Sequence, residues 1–358
     1  MLNNVTMDNI PTVRLANQHI TTQNFTDPQS LVAYMGAVQA QDFPMAKWAI
    51  GVRLPKATET SIEKALNAGE LVRTHIMRPT WHIVSAQDVR WMMALTGKNI
   101  KRAFASHNRD LGIDASLYAR VNDVIAKALE GNNHLTRSEI MEFLEQNGIK
   151  TDTSRATLFM MNAETDALVC NGVPRGKEQT YALLDEKVPA KGLTLSHEES
   201  LAELAKRYFT SHAPATVQDF HWWSGLTMTD ARAGLASIKS DLQTFDIEEK
   251  TYFFRENSAT NEVGAPLFLL PAFDEYCVSY KDRNAVFASE WQSQAITING
   301  IFKPIIVING RVEGVWKRTI KKNTVAIETQ FFNPKTVVDS KKLAQAKAHF
   351  GQFLGLTT

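Results

Sequence analysis

Three times along the chain, a set of helix-start signals and apolar stripes is followed by two short β-prone segments around a turn. This recurrence constrains the fold more than any other feature, because a repeated supersecondary order implies repeated structural units. In the first unit, Asp27 can cap a helix and Pro28 can occupy its first position. Leu31, Tyr34, Met35 and Val38 then form an apolar stripe. A second helix is expected over residues 44–53, and Pro44 biases Phe43 away from helix. Thr58 can start a third, carrying Ile62, Ala65 and Leu66 and ending at Gly69. Residues 71–77 and 80–84 read as strands around Arg78-Pro79. Three helices and a two-stranded wing, in that order, make a winged helix, a relative of helix-turn-helix.

The second unit has Leu117, Val121, Val124, Ala128 and Leu129 on one face, then a capping box from Thr136 to Glu139. A helix over 153–164 and strands over 167–170 and 179–184 complete it. The third carries Leu201, Leu204, Ala205 and Tyr208, with capping boxes at Thr216-Asp219 and Thr227-Asp230. Its wing is expected over 242–247 and 251–254. Residues 1–27 read as a polar arm. After Asn261 short β-runs dominate, including 267–274, 295–298, 305–308, 314–316 and 324–331. Asn299-Gly300 and Asn309-Gly310 are turn signals, and a last helix spans 340–353. The predicted class is α+β: three tandem winged-helix units and a β-rich, barrel-like C-terminal domain. The expected divisions are 1–112, 113–190, 191–262 and 263–358.

Composition narrows the function. The 358 residues carry a formal net charge of only +1, so any nucleic-acid surface must be local. Hydrophobic content of 44% and charged content of 22% are ordinary for a globular protein. Cys170 and Cys277 form no CxxC pair and read as buried thiols. The nine histidines lack metal-site spacing, and no metal or cofactor is expected. Gly172 to Glu178 resembles a phosphate loop but is one residue short and lacks its Ser or Thr, so no nucleotide cofactor is expected either. No apolar run approaches the roughly 20 residues that span a bilayer. The expectation is a soluble, cytoplasmic monomer.

The candidate chemistry centres on Gln39 and Gln41. Two residues apart, they face the same way only if the backbone is extended. Their amide oxygens can then orient one water. Glutamine is a poor general base, so the pair suits a leaving group that is already activated. A cationic alkylated purine on an N-glycosidic bond is such a group. Amide dipoles would also stabilise the positive charge that develops on the sugar. From spacing alone, two ordinary glutamines at a helix end are the commoner meaning. Asp42 is expected to cap the next helix rather than act as a base. Arg73, His75 and His82 are expected on one strand face, with Arg78 at the hairpin tip, to contact DNA. Lys98, Lys101 and Arg102 form one basic cluster and Lys317 with Arg318 another; either can track phosphates. The third wing, with Asp241, Asp246, Glu248 and Glu249, is too acidic for that.

Five motifs carry a family resemblance. They are Val38-Gln-Ala-Gln-Asp42, Arg73-Thr-His-Ile-Met-Arg-Pro-Thr-Trp-His82, His221-Trp-Trp-Ser-Gly-Leu226, Leu270-Pro-Ala-Phe-Asp274 with Asp282-Arg283, and Asn309-Gly-Arg-Val-Glu-Gly-Val-Trp316. In this order, over nearly the whole chain, they resemble the AlkZ/YcaQ winged-helix DNA glycosylases. The resemblance implies a C-shaped protein that excises N-alkylated purines from double-stranded DNA, with bulky adducts and interstrand crosslinks as substrates of some members. It implies that Gln39 and Gln41 position the attacking water. Two other readings compete: a winged-helix regulator without catalysis, since this fold hosts many functions, and a structural or interaction protein.

Overall fold

A computed structural model describes residues 9–188, 192–247, 249–255 and 266–358. Glu248 and the expected divisions at 190 and 262 lie outside them. The first segment contains α1 (Ile10–Asn17), α2 (Pro28–Met35), β1 (Val38–Gln39), α3 (Phe43–Gly51) and α4 (Glu59–Asn67). It continues with β2 (Leu71–His75), β3 (Trp81–Ser85), α5 (Val89–Ala103) and α6 (Ala105–Asp110). The second holds α7 (Ala115–Leu129), β4 (Leu135–Thr136), α8 (Arg137–Gln146), α9 (Thr153–Thr165), β5 (Val169–Asn171), β6 (Thr180–Leu183) and α10 (Leu184–Lys187). The third holds α11 (His197–Ser211), α12 (Val217–Ser224), α13 (Met228–Ile238), β7 (Gln243–Ile247) and β8 (Lys250–Phe254). Last come β9 (Leu267–Leu270), α14 (Glu275–Val278), α15 (Ser289–Ala295), β10 (Ile305–Ile308), β11 (Arg311–Lys321), β12 (Thr324–Phe331) and α16 (Ser340–Leu354).

Local chemistry sets the helix starts. Asp27, Asp42 and Thr58 accept backbone N–H bonds at the N-termini of α2, α3 and α4, satisfying donors that the helix cannot. Thr136 with Glu139, and Thr216 with Asp219, form the expected capping boxes. Thr227 caps α13, but Asp230 binds its hydroxyl rather than its backbone, so that box is incomplete.

Every sheet is small and antiparallel: β1-β3-β2, β4-β6-β5, β7-β8 and β12-β11-β10-β9. Among the described residues the expected barrel is absent. The C-terminal sheet has four strands and stays open, too few to wrap around a filled interior. Helix α16 covers it instead: Phe350 packs edge-on against Trp316 of β11. The outer edge of β12 is bridged by the chain's last residues, through Val325 N–H and the Thr357 carbonyl.

Two further expectations need correction. The polar arm contains α1, whose Ile10, Val13, Leu15 and Ala16 are buried. Its polar residues are not solvated: Arg14 and Asn17 donate to the carbonyls of Pro214 and Ala213. The expected strand at 295–298 is the end of α15 followed by a single bridge from Ile296 to Phe302.

The core binds distant segments together. One buried cluster runs from Leu31, Trp48 and Ile50 into Leu269, Ile306 and Phe353. Trp48 illustrates it: the ring packs on Phe350 and Phe353, and Nε1 donates to the Leu269 carbonyl at 2.8 Å. A second cluster joins Val72 and Met92 to Tyr208, Phe220 and Trp223 of the third segment. The β1-β3-β2 sheet is therefore clamped between the C-terminal segment on one face and the third segment on the other.

Candidate active site

Gly36, at φ +81, ends α2 and lets the chain turn into β1. Val38 and Gln39 then pair with Ile83 and His82, so Gln39 sits on extended backbone. That is the geometry in which side chains two residues apart face the same way. Gln39 is buried and Gln41 is exposed. Gln39 Oε1 accepts from Arg78 Nη2 at 2.7 Å. Gln41 Oε1 accepts from the Trp81 N–H at 3.4 Å, a long bond. Each oxygen keeps a second lone pair. Asp42 accepts from Met45 N–H at the start of α3, as expected of a cap.

Gln39 is also held through its backbone. Its N–H donates to Glu275 Oε1 at 2.7 Å. Glu275 is fully buried at the start of α14 and accepts from Trp223 Nε1 at 3.0 Å and from Ser279 Oγ. His212 Nε2 lies 3.7 Å away. Burial alone would raise the Glu275 carboxyl, but the neighbouring His212 and the Ser279 hydroxyl hold it down at about 2. Neither Glu275 nor His212 was identifiable from local sequence. The available signal was an acid followed directly by Tyr276-Cys277-Val278, since a carboxylate in a buried apolar run must be paired.

The hairpin corrects the expected shared face. Residues directly opposite in an antiparallel ladder lie on the same face. Thr74 is opposite His82, which is opposite Gln39. Arg73 is opposite Ile83, and His75 opposite Trp81. His82 thus shares the Gln39 face, while Arg73 and His75 occupy the other. On that other face, Arg73 lies 4.3 Å over the Trp81 ring and donates to the Ala40 carbonyl. His75 pairs with Glu164 of α9, to which Trp81 Nε1 also donates.

Arg78 does not reach outward from the hairpin tip. It turns in to Gln39, and burial lowers its pKa. The loop that carries it is pressed by the third segment. A Cβ on Gly225 would come within 2.3 Å of the Met77 carbonyl, and Gly225 has φ +68, so only glycine fits there. Helix α5 braces the same loop through Thr96 Oγ1, which accepts from Met77 N–H. Lys98, Lys101 and Arg102 continue from this helix as exposed residues, Lys101 pairing with Asp166. Lys317 pairs with Glu328 and Arg318 lies over Phe350; no bond joins either to the Gln39 network among the described residues. No grouping of three or more His, Cys, Asp or Glu among those residues is placed to hold a metal.

His82 is completely buried. Its Nδ1 meets the Thr80 carbonyl at 3.0 Å, while Nε2 and the nearby Thr74 and Thr80 hydroxyls have no hydrogen-bond partner among the described residues. Burial, helped by the charge of Arg78, pushes its pKa down to about 3. Between that value and 6.5 the unfolded chain binds a proton that the folded chain refuses. Stability is therefore present above pH 6.5 and is lost as pH falls toward 3, at about 1.4 kcal/mol per unit from this residue. Urea unfolding at pH 7 and pH 5 is expected to show this slope in the parent and a shallower one in His82→Gln. Equal slopes would place the acid sensitivity elsewhere.

Comparison with known proteins follows the same lines. The model of a family described as "DNA glycosylase AlkZ-like" matches residues 32–353. An interstrand DNA cross-link repair glycosylase of Streptomyces sahachiroi is 24% identical over 321 residues, covering 85% of each chain. The solved structure of Streptomyces sahachiroi DNA glycosylase AlkZ superimposes with a TM-score of 0.82 at 20% identity, covering 99% of this chain and 98% of that one.

Proposed function

Because the chain belongs to the AlkZ-like DNA glycosylase family, we propose that it is a monofunctional DNA N-glycosylase acting on cationic N-alkylated purines in double-stranded DNA. The Streptomyces sahachiroi relative, an interstrand cross-link repair glycosylase, extends this substrate class to bulky adducts and interstrand crosslinks. The reading takes the three helix-rich segments as tandem winged helices in a C-shape, dividing with the C-terminal domain at 1–112, 113–190, 191–262 and 263–358, and the protein as a monomer. Lys98, Lys101, Arg102, Lys317 and Arg318 would follow the phosphate backbone. Arg73, His75 and Arg78 would serve the lesion side; His82, completely buried, would sit behind Gln39 and not touch DNA.

The observation that carries it is the extended backbone at Gln39, with its amide oxygen oriented by a buried guanidinium. In the proposed step the C1′–N bond breaks and its electron pair neutralises the cationic base. Water, held by the Gln39 and Gln41 oxygens, forms the new C1′–O bond and gives its proton to solvent. The amides need only aim the water and favour positive charge on the sugar. No residue is asked to protonate the base.

A lesion panel tests this. Purified protein is expected to release 7-methylguanine from alkylated duplex DNA and to leave uracil in place. Efficient release of uracil, a neutral leaving group, would contradict the leaving-group account; release of no base at all would remove the enzyme reading.

A further inference from the structure

Trp222 of α12 stands among three cations. Lys281 Nζ lies 4.7 Å from its ring centroid, Arg283 Cζ 5.7 Å and Arg78 Cζ 5.9 Å. The indole is fixed, since Nε1 donates to the Val278 carbonyl at 3.0 Å. The nearby carboxylates are already engaged. Asp282 pairs with Lys250 at 2.6 Å, and Asp219 Oδ1 accepts the backbone N–H groups of Lys281 and Asp282. Arg283 spends its Nε on the Cys277 carbonyl, and no ion pair joins Lys281, Arg283 or Arg78 to an acid among the described residues. The Arg78 Nε is buried with no partner. Burial lowers both guanidiniums; the Glu275 carboxylate partly offsets this at Arg78 and the charge of Arg283 adds to it, while Asp219 and Asp282 partly offset it at Arg283.

Three cations gathered around one indole, none of them ion-paired among the described residues, form a receptor for an anion. We propose that Lys281, Arg283 and Arg78, arranged on Trp222, bind one phosphodiester of the DNA strand beside the Gln39 site. This rests on the DNA-glycosylase reading and adds Lys281, Arg283 and Trp222 to it. Because Arg78 also bonds Gln39, the seated phosphate would fix the strand's distance from the two amides. Trp222 then serves as a fixed floor for the cations rather than as a base-stacking platform.

The test uses the full chain and undamaged duplex DNA, so it does not depend on catalysis. Binding is measured across a range of KCl for the parent, Lys281→Gln and Arg283→Gln. Each variant is expected to show a shallower log–log salt slope, by no more than the roughly 0.9 of one fully neutralised phosphate, because two cations stay on it. Lys281 is exposed, so Lys281→Gln remains decisive if Arg283→Gln misfolds. A scan of single neutral methylphosphonate linkages should reveal one position that weakens the parent more than it weakens Lys281→Gln. Unchanged slopes, or no such linkage, would overturn the proposal. So would inorganic phosphate, at constant ionic strength, raising the parent's melting temperature but not the variant's while the DNA slopes agree, because the ligand would then be a free anion. Slopes that shift in a protein releasing no base would leave the phosphate seat standing and sink the enzyme reading alone.

Discussion

Gln39→Ala is expected to slow base release by about 100-fold or more, the scale seen when one preorganised polar group is removed from a developing charge. The substitution removes the Oε1 that Arg78 orients at 2.7 Å, while the backbone N–H bond to Glu275 survives. The strand should therefore stay in place and affinity for undamaged duplex should change little. Gln41→Ala, at an exposed site with one long bond, should also slow release with no loss of folding stability. Single-turnover release at saturating enzyme separates the effects: chemistry slows, binding does not. Full activity in both variants would end the positioned-water mechanism. Weakened DNA affinity with an unchanged single-turnover rate would recast the pair as a docking contact.

Asp274→Ala is expected to cost about 3–5 kcal/mol of folding stability, the range for breaking a buried ion pair by removing one partner. Arg53 meets Asp274 through two bonds of 2.8 Å, and both side chains are almost wholly enclosed. Arg53 also donates to Gln18 and to the Ala49 carbonyl, so losing the carboxylate strands a guanidinium that ties α3 to α14. Asp274→Asn should be milder, because an amide oxygen still accepts one bond. Denaturant unfolding reads the difference directly; a loss below about 1 kcal/mol for Asp274→Ala would mean that the site relaxes or hydrates. Since α14 begins at Glu275, part of this cost should reappear as slower base release.

The local parts of this molecule were legible in its sequence. Asp27, Thr58, Thr136 and Thr216 announce helix starts because capping is a matter of three or four residues. Gln39 and Gln41 were visible because they are neighbours in the chain. What was not legible depended on register or on distance. His82 was assigned to the Arg73 face because parity across a hairpin follows from how the loop sets the pairing, and here His82 lies opposite Thr74. Arg78 is expected at the hairpin tip against DNA, but it turns in to Gln39, 39 residues away. Glu164 meets His75 across 89 residues and Glu275 meets Gln39 across 236. The barrel was inferred from many short β-runs, but strand count and the covering helix decide closure, and a list of strands contains neither.

The 236-residue span between the Gln39 amide and its carboxylate partner also bears on biosynthesis. A ribosome adding roughly 5–20 residues per second needs about 12–47 s to travel from one to the other. During that interval the nascent polypeptide carries both glutamines but lacks the anchor that seats the first of them. The seating of Gln39 thus waits until translation has passed residue 275 and that segment has folded back onto β1.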